Sequence, residues 1–263
     1  MSDLQVDSVK SAELSGLGPM KIVIVAESFL PLVNGVTNSV LRVVEHMRAR
    51  GHSVTVIAAA TGRTKNIIPE TILGATVHRV PSLPVPAYGG MRVGYSSRAV
   101  VRVFDAVQPD VVHLAAPTVL GASAIKVARS RGIPTVAIYQ TDLAGFATRY
   151  HLGVASRGIW RHLSAVHSRA DVTLAPSTAA VWDLRHRGVD NVKRWMRGVD
   201  LVKFHPRFSD SDLRSTWAPN GEVVVGYVGR LARDKQIEKM AELSSLPGCR
   251  LVIVGRSEEH TSE

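Results

Sequence analysis

One cysteine, Cys249, is all this sequence offers to sulfur chemistry, so it can form neither an internal disulfide nor a thiolate metal cluster. That fits a reducing compartment, and the cytoplasm is the expected location. Long hydrophobic runs are also missing. Stretches such as 223–228 and 251–254 fall far short of the roughly 20 apolar residues that cross a bilayer, which excludes a transmembrane helix. The first nineteen residues lack a basic start followed by an apolar core, so they do not read as a secretory signal and are expected to form a flexible tail. Aromatic residues make up only 5% of the chain, too few for the interleaved stacking platform of a single-stranded nucleic-acid binder. The ten histidines show no paired metal-ligand spacing, and no G-x-G-x-x-G is present to hold a dinucleotide. No structural metal or cofactor is expected.

What the sequence does contain is a globular composition, 45% hydrophobic over 263 residues, and a formal charge of +10. A positive field of this size attracts nucleic acid, anionic lipid or phosphorylated small molecules, and charge alone does not choose among them. Short β-branched runs alternate with longer helical patterns, which predicts an α/β fold with a parallel, doubly wound sheet. Strands are expected over 21–26, 53–58, 76–80, 110–114, 135–139 and 171–174. Helices are expected over 36–50, 97–107, 119–131, 156–168 and 178–187, with Gly51, Gly132 and Gly188 closing three of them. A second series starts with a strand at 222–228, a helix at 234–245 and a strand at 250–254. The expected division is therefore a tail at 1–19, a Rossmann-like domain at 20–205, a linker at 206–220 and the start of a second, incomplete Rossmann-like domain at 221–255. Residues 256–263 break the pattern and resemble an in-frame translation of a sequencing adapter, so they are expected to be non-native.

Two places combine phosphate chemistry with the right local structure. After the first strand, Asn34-Gly35 stands directly before an apolar helix. Glycine has no Cβ, and the first N–H groups of a helix carry partial positive charge, so Asn34, Gly35, Val36 and Thr37 are candidates to hold a diphosphate. A plain tight turn explains the same residues. After the first strand of the second series comes Val228-Gly-Arg-Leu-Ala-Arg-Asp-Lys235, where Gly229, Arg230 and Lys235 flank a strand-to-helix turn. Two cations there can neutralise charge developing on a leaving diphosphate, although two solvated surface charges fit as well, and Arg233 is assigned to that second reading. Thr141 and Asp142 follow the strand at 135–139, where open α/β sheets place ligands. Asp142 is the candidate to orient, or take a proton from, an acceptor hydroxyl, with a helix N-cap as the alternative.

Four segments occur in order: Phe29-Leu-Pro-Leu-Val-Asn-Gly-Val-Thr-Asn-Ser-Val40, Tyr139-Gln-Thr-Asp142, Arg197-Gly-Val-Asp200 with Phe204 and Pro206, and Val228-Gly-Arg-Leu-Ala232. Together they resemble glycosyltransferase family 4, over residues 21–255, and especially its actinobacterial GDP-mannose-dependent α-mannosyltransferases of glycolipid synthesis. The resemblance implies a GT-B fold and transfer of a hexose with retention, from GDP-mannose to a glycolipid hydroxyl. It also implies that the Gly35 loop and the Arg230 and Lys235 pair contact the donor diphosphate in a cleft between two domains. Tyr150 belongs to the same pattern on the acceptor side, with simple packing as its alternative. A divalent-ion requirement is left open, and lipid acceptors imply a peripheral place on the inner face of the plasma membrane.

The resemblance has gaps. The family's acidic motif, two Glu separated by seven residues, has no counterpart here, so this chain alone is expected to be inactive. The family's His-x-His-Glu-Pro position falls on Val112-His113-Leu-Ala115-Ala-Pro117, which puts Ala115 where relatives carry a His and leaves His113 as a packing residue. Residues 149–169 carry Arg149, Arg157, Arg161 and Arg169 beside Trp160, Leu163 and Val166, a basic helix whose apolar side could rest on anionic lipid or on the sheet. A sugar-nucleotide epimerase of the same plan, a non-catalytic fragment and a basic nucleic-acid-binding module are the rival readings.

Overall fold

The computed structural model describes residues 18–60, 71–84, 92–140, 153–196, 198–229, 231 and 235–255. The chain divides into two compact units, Met1–Arg197 and Gly198–Glu263.

The first unit is built on an eight-stranded sheet. Its strands are β1 (Lys21–Ala26), β2 (Ser53–Ala59), β3 (Thr71–Ile72), β4 (Ala75–Val80), β7 (Val111–Ala115), β8 (Thr135–Ile138), β9 (Val172–Ala175) and β10 (Val192–Arg194). They lie in the order β10-β9-β8-β7-β1-β2-β4-β3, parallel throughout except for β3 against β4. A separate short hairpin pairs β5 (Ser82–Pro84) with β6 (Arg92–Gly94). Strand β1 pairs with β2 on one side and β7 on the other, so the winding direction reverses at β1 and β7. Open α/β sheets bind ligands at the carboxyl ends of strands beside such a reversal.

Side-chain alternation explains the two layers. Val23, Val25, Val112, Leu114 and Ala137 point to one face and meet α2 (Ser97–Val107), α3 (Val119–Ser130) and the end of α4 (Gly153–His167). Ile22, Ile24, Val54 and Val56 point to the other face and meet Val40 and Val44 of α1 (Gly35–Ala49). A third cluster joins Tyr139, Leu163, Ala175 and Val192 to Leu184 of α5 (Thr178–Arg185). Leu163 and Val166 are both buried in these clusters, so the apolar side of α4 rests on the domain core and is not available to lipid. Gly51, Gly132 and Gly188 follow α1, α3 and α5 at positive φ, as helix ends require.

The second unit holds α6 (Ser211–Trp217) and a parallel pair, β11 (Val223–Val228) with β12 (Cys249–Val254). The α-helix expected over 234–245 is instead a 3-10 run, Ile237–Ser245, preceded by Gln236 in the left-handed region. No residue of that run is buried, and an α-helix draws most of its stability from packing one face. Residues 206–220, expected as linker, carry the 3-10 turn Pro206–Phe208 as well as α6. Among the described residues no helix is long and apolar enough to cross a membrane.

Candidate functional site

The turn between β1 and α1 starts at the carboxyl end of β1, beside the reversal. Asn34 is the N-cap of α1. Its Oδ1 accepts from the N–H groups of Val36 and Thr37, each at 3.0 Å, while its Nδ2 donates to Ser28 Oγ at 2.7 Å. The N–H groups expected to be free at Val36 and Thr37 are therefore engaged. The reason is local: an amide side chain at an N-cap folds back onto the N2 and N3 donors. Gly35 is exposed, and its N–H has no partner among the described residues. An anion approaching this turn meets the Gly35 amide directly, and gains Val36 and Thr37 only by displacing the Asn34 oxygen.

The turn is braced from behind. Thr37 Oγ1 donates to the Leu32 carbonyl at 2.7 Å, and the Arg79 guanidinium, on β4, donates to the Leu30 carbonyl at 2.6 Å and lies 5.6 Å from the Phe29 ring centre. Burial lowers the Arg79 pKa from its ordinary value. Leu30-Pro31 is a cis peptide.

Glu27, the residue immediately after β1, was not legible as a functional or structural centre in the sequence. Its carboxylate is buried and accepts from Thr118 Oγ1, from Leu120 N at 2.6 Å and from Gly94 N at 3.1 Å. It thereby caps α3, whose own N-cap residue, Thr118, makes no side-chain cap bond to the helix. Burial pushes the Glu27 pKa up, against the opposing pull of its hydrogen bonds. One carboxylate thus ties the end of β1 to the β5–β6 hairpin and to the start of α3.

At the ends of β7 and β8 a small crevice is lined by Ala116, Pro117, Ile138, Tyr139, Leu163 and His167. Ala116 has φ 53°, a left-handed conformation uncommon for a residue with a Cβ. Tyr139 stacks on Trp160 at 6.0 Å and meets the His167 ring edge-on at 5.7 Å. His167 is buried, with Nδ1 3.3 Å from Thr173 Oγ1, and burial lowers its pKa to about 4. His113, in register between Ile24 and Val136, is likewise held at about 4 by burial. Both imidazoles are neutral at pH 7. The acceptor-side candidates Thr141, Asp142 and Tyr150 lie outside the described residues. The Tyr139 backbone N–H donates to the Leu174 carbonyl at 2.8 Å, at the carboxyl edge of the sheet.

In the second unit, Gly229 follows β11, and its N–H donates to the Val254 carbonyl at 3.0 Å. A Cβ on Gly255 would lie 1.9 Å from the Gly229 oxygen, a contact that admits only glycine. Arg230 lies outside the described residues, and Lys235 is exposed just before Gln236. Asp200, in the Arg197-Gly-Val-Asp segment, accepts from the N–H groups of Val202 and Lys203, at 3.1 and 2.9 Å, and so shapes a turn. Among the described residues no group of three or more His, Cys, Asp or Glu side chains could hold a metal ion.

The model of the family described as Glycosyltransferase Family 4 matches residues 33–203. A GDP-mannose-dependent alpha-mannosyltransferase of Mycolicibacterium smegmatis is 49% identical over 236 residues, covering 90% of this chain and 63% of that protein. One of the same description from Corynebacterium glutamicum is 45% identical over 242 residues, covering 92% of this chain and 58% of its own length. The chain thus spans about three fifths of these relatives. Among solved structures, HepE of Anabaena in complex with UDP superposes with a TM-score of 0.64 at 18% identity, covering 90% of this chain and 61% of that one, a likeness of fold.

Proposed function

This chain belongs to glycosyltransferase family 4, and from that premise we propose that it acts as a retaining hexosyltransferase, transferring mannose from GDP-mannose to a hydroxyl of a glycolipid. The observation that carries the reading is the β1–α1 turn. It offers an exposed glycine amide at a capped helix N-terminus, at the carboxyl end of a strand next to the winding reversal. Such a turn suits a diphosphate and does not suit a nicotinamide dinucleotide, whose glycine pattern is missing. The donor in the names of the two mannosyltransferase relatives, GDP-mannose, supports the choice of sugar nucleotide.

In the proposed reaction the bond between mannose C1 and the diphosphate oxygen breaks, and the acceptor oxygen bonds to C1 from the same face. The acceptor proton passes to an oxygen of the departing diphosphate. Gly35, with Asn34 and Val36, contacts the diphosphate, as does Gly229, and Arg230 and Lys235 neutralise the charge that develops on it. Thr141, Asp142 and Tyr150 serve the acceptor, with Asp142 orienting its hydroxyl. Neither His113 nor His167 supplies a proton, since both stay neutral at pH 7.

A chimera tests the reading. Residues 20–255 replace the matched part of the smegmatis relative, and the product is given radiolabelled GDP-mannose and a lipid extract. Label in an α-mannosyl lipid is the expected result. Epimerised sugar nucleotide, or label only in free mannose, would reject it in favour of an epimerase or of a non-catalytic chain.

A further inference from the structure

We propose that Arg79 is a positioning residue for the diphosphate seat: its guanidinium fixes where the Asn34-Gly35 turn stands on the sheet, an inference that rests on the diphosphate reading above. The turn keeps its shape by itself. Leu32 N donates to the Phe29 carbonyl at 3.2 Å, Thr37 Oγ1 closes on Leu32, and the Asn34 side chain bonds Ser28, Val36 and Thr37. All of these bonds join residues between 28 and 37, so they survive a movement of the turn as one body. Among the described residues, a single hydrogen bond ties residues 28–34 to the chain outside 28–38, the one from Arg79 Nη2 to the Leu30 carbonyl at 2.6 Å.

Strand register sets the reach of that side chain. Ala26 on β1 lies beside Ala58 on β2, and Ala58 beside Arg79 on β4. Side chains alternate along a strand, and Arg79 shares the face of Ala75 and Val77, which pack in one cluster with Ala26, Ala58 and Val40 of α1. Two methyl groups leave room in that row, so the guanidinium crosses β2 to the segment that follows β1. There it lies against the Phe29 ring and binds Leu30, while Nη1 donates to the Ala59 carbonyl at 3.4 Å. The planar fork thus holds the end of β2 and the turn at once, a geometry that an ammonium group does not reproduce. Nε is buried and has no hydrogen-bond partner among the described residues. An unpaired buried donor destabilises a fold, and an apolar side chain would fill this space without one. Packing alone therefore does not account for an arginine here, whereas holding the Leu30 carbonyl in place does.

Placement matters because the exposed Gly35 amide acts over hydrogen-bond distance, and a shift of about 1 Å in such a group can cost about 10²-fold. An anchored turn also meets its anion already ordered. A loose one must be ordered during binding, which weakens affinity.

Calorimetry of the 263-residue chain with inorganic diphosphate tests the role without any need for turnover. Arg79→Met keeps an unbranched apolar stem and removes the fork, so the dissociation constant should rise by about tenfold at unchanged stoichiometry. Arg79→Lys keeps the charge without the fork and should stay within about threefold of the Met variant. If Arg79→Met does not fold, the Lys variant decides alone. Arg50→Gln, exposed at the other end of α1, removes the same charge and should leave the constant unchanged. Native affinity in Arg79→Lys would overturn the proposal, since charge would then suffice. So would a fall in stoichiometry at an unchanged constant, which marks lost folded molecules, and so would a native chain that takes up no diphosphate. In the chimera, Arg79→Met should raise KM for GDP-mannose, which a smaller folded fraction does not do; an unchanged KM would contradict the role. A chimera that transfers no mannose, beside a chain whose diphosphate affinity still depends on the fork, refutes the mannosyltransferase reading alone and leaves the positioning role standing.

Discussion

Replacing Glu27 by Gln keeps the shape of the side chain and changes one oxygen into a donor. In the native chain Oε1 accepts from Thr118 and Leu120, and Oε2 accepts from Gly94. Whichever way the amide turns, its NH₂ faces at least one N–H or O–H that it cannot satisfy. A buried unsatisfied donor costs about 1–3 kcal/mol, and some of that is regained because a neutral amide is easier to bury than a carboxylate. A net loss of about 2 kcal/mol is expected, roughly 4–8 °C in Tm for a unit of this size. The pH dependence is the sharper test. Since burial raises the folded pKa of Glu27 above its ordinary 4.5, the folded state holds that proton to a higher pH than the unfolded chain. Glu27 therefore favours folding fully below 4.5, and that contribution is lost as the pH rises through the folded value. Thermal melts of native chain and variant, followed by circular dichroism between pH 4.5 and 7.5, should show their difference shrinking as pH rises. A difference that grows with pH would refute the reasoning, since it would mean that the α3 terminus stabilises the anion more than burial penalises it.

Other expectations follow from the same contacts. His113 and His167, held at about 4, take up protons on unfolding; stability should therefore fall as pH drops from 6.5 towards 4, by up to about 3 kcal/mol for each. Urea titrations of His167→Gln should show a shallower acid slope, and an unchanged slope would contradict the assignment. Asn34→Ala removes the oxygen that caps α1 and should cost about 1 kcal/mol, while leaving the Val36 and Thr37 amides open to an anion; calorimetry with inorganic diphosphate measures the second effect. Gly255→Ala drives a Cβ into the Gly229 carbonyl; hydrogen exchange should show β11 and β12 opening while the first unit keeps its protection.

Much of the first unit was legible because its strands are dense in β-branched residues and three of its helices end in glycine. Expectation and structure coincide at β1 over 21–26 and at α2 over 97–107, and differ by a residue or two at β8 and β9. The β5–β6 hairpin was hidden by Pro81 and Pro84, which read as loop, and β10 by its length of three residues. Glu27 was hidden for a different reason. A single acidic residue after a strand looks like solvated loop, and the partners that make it a cap lie 67 to 93 residues further on. At the candidate site, the sequence located the Asn34-Gly35 turn from local chemistry, yet the same chemistry let Asn34 take the two amides that seemed free. The amphipathic pattern of α4 was read correctly as having an apolar side, but periodicity does not say what that side touches. Burial of Leu163 and Val166 shows that it touches the domain core.

Transfer of labelled mannose by the chimera, measured with Arg230 intact and as Arg230→Ala, tests the central claim most directly. The account predicts an α-mannosyl lipid from the intact chimera and a fall in turnover of about 10² or more in the variant, the loss seen when a donor to developing negative charge is removed. An inverted product, or turnover unchanged by the substitution, would contradict it.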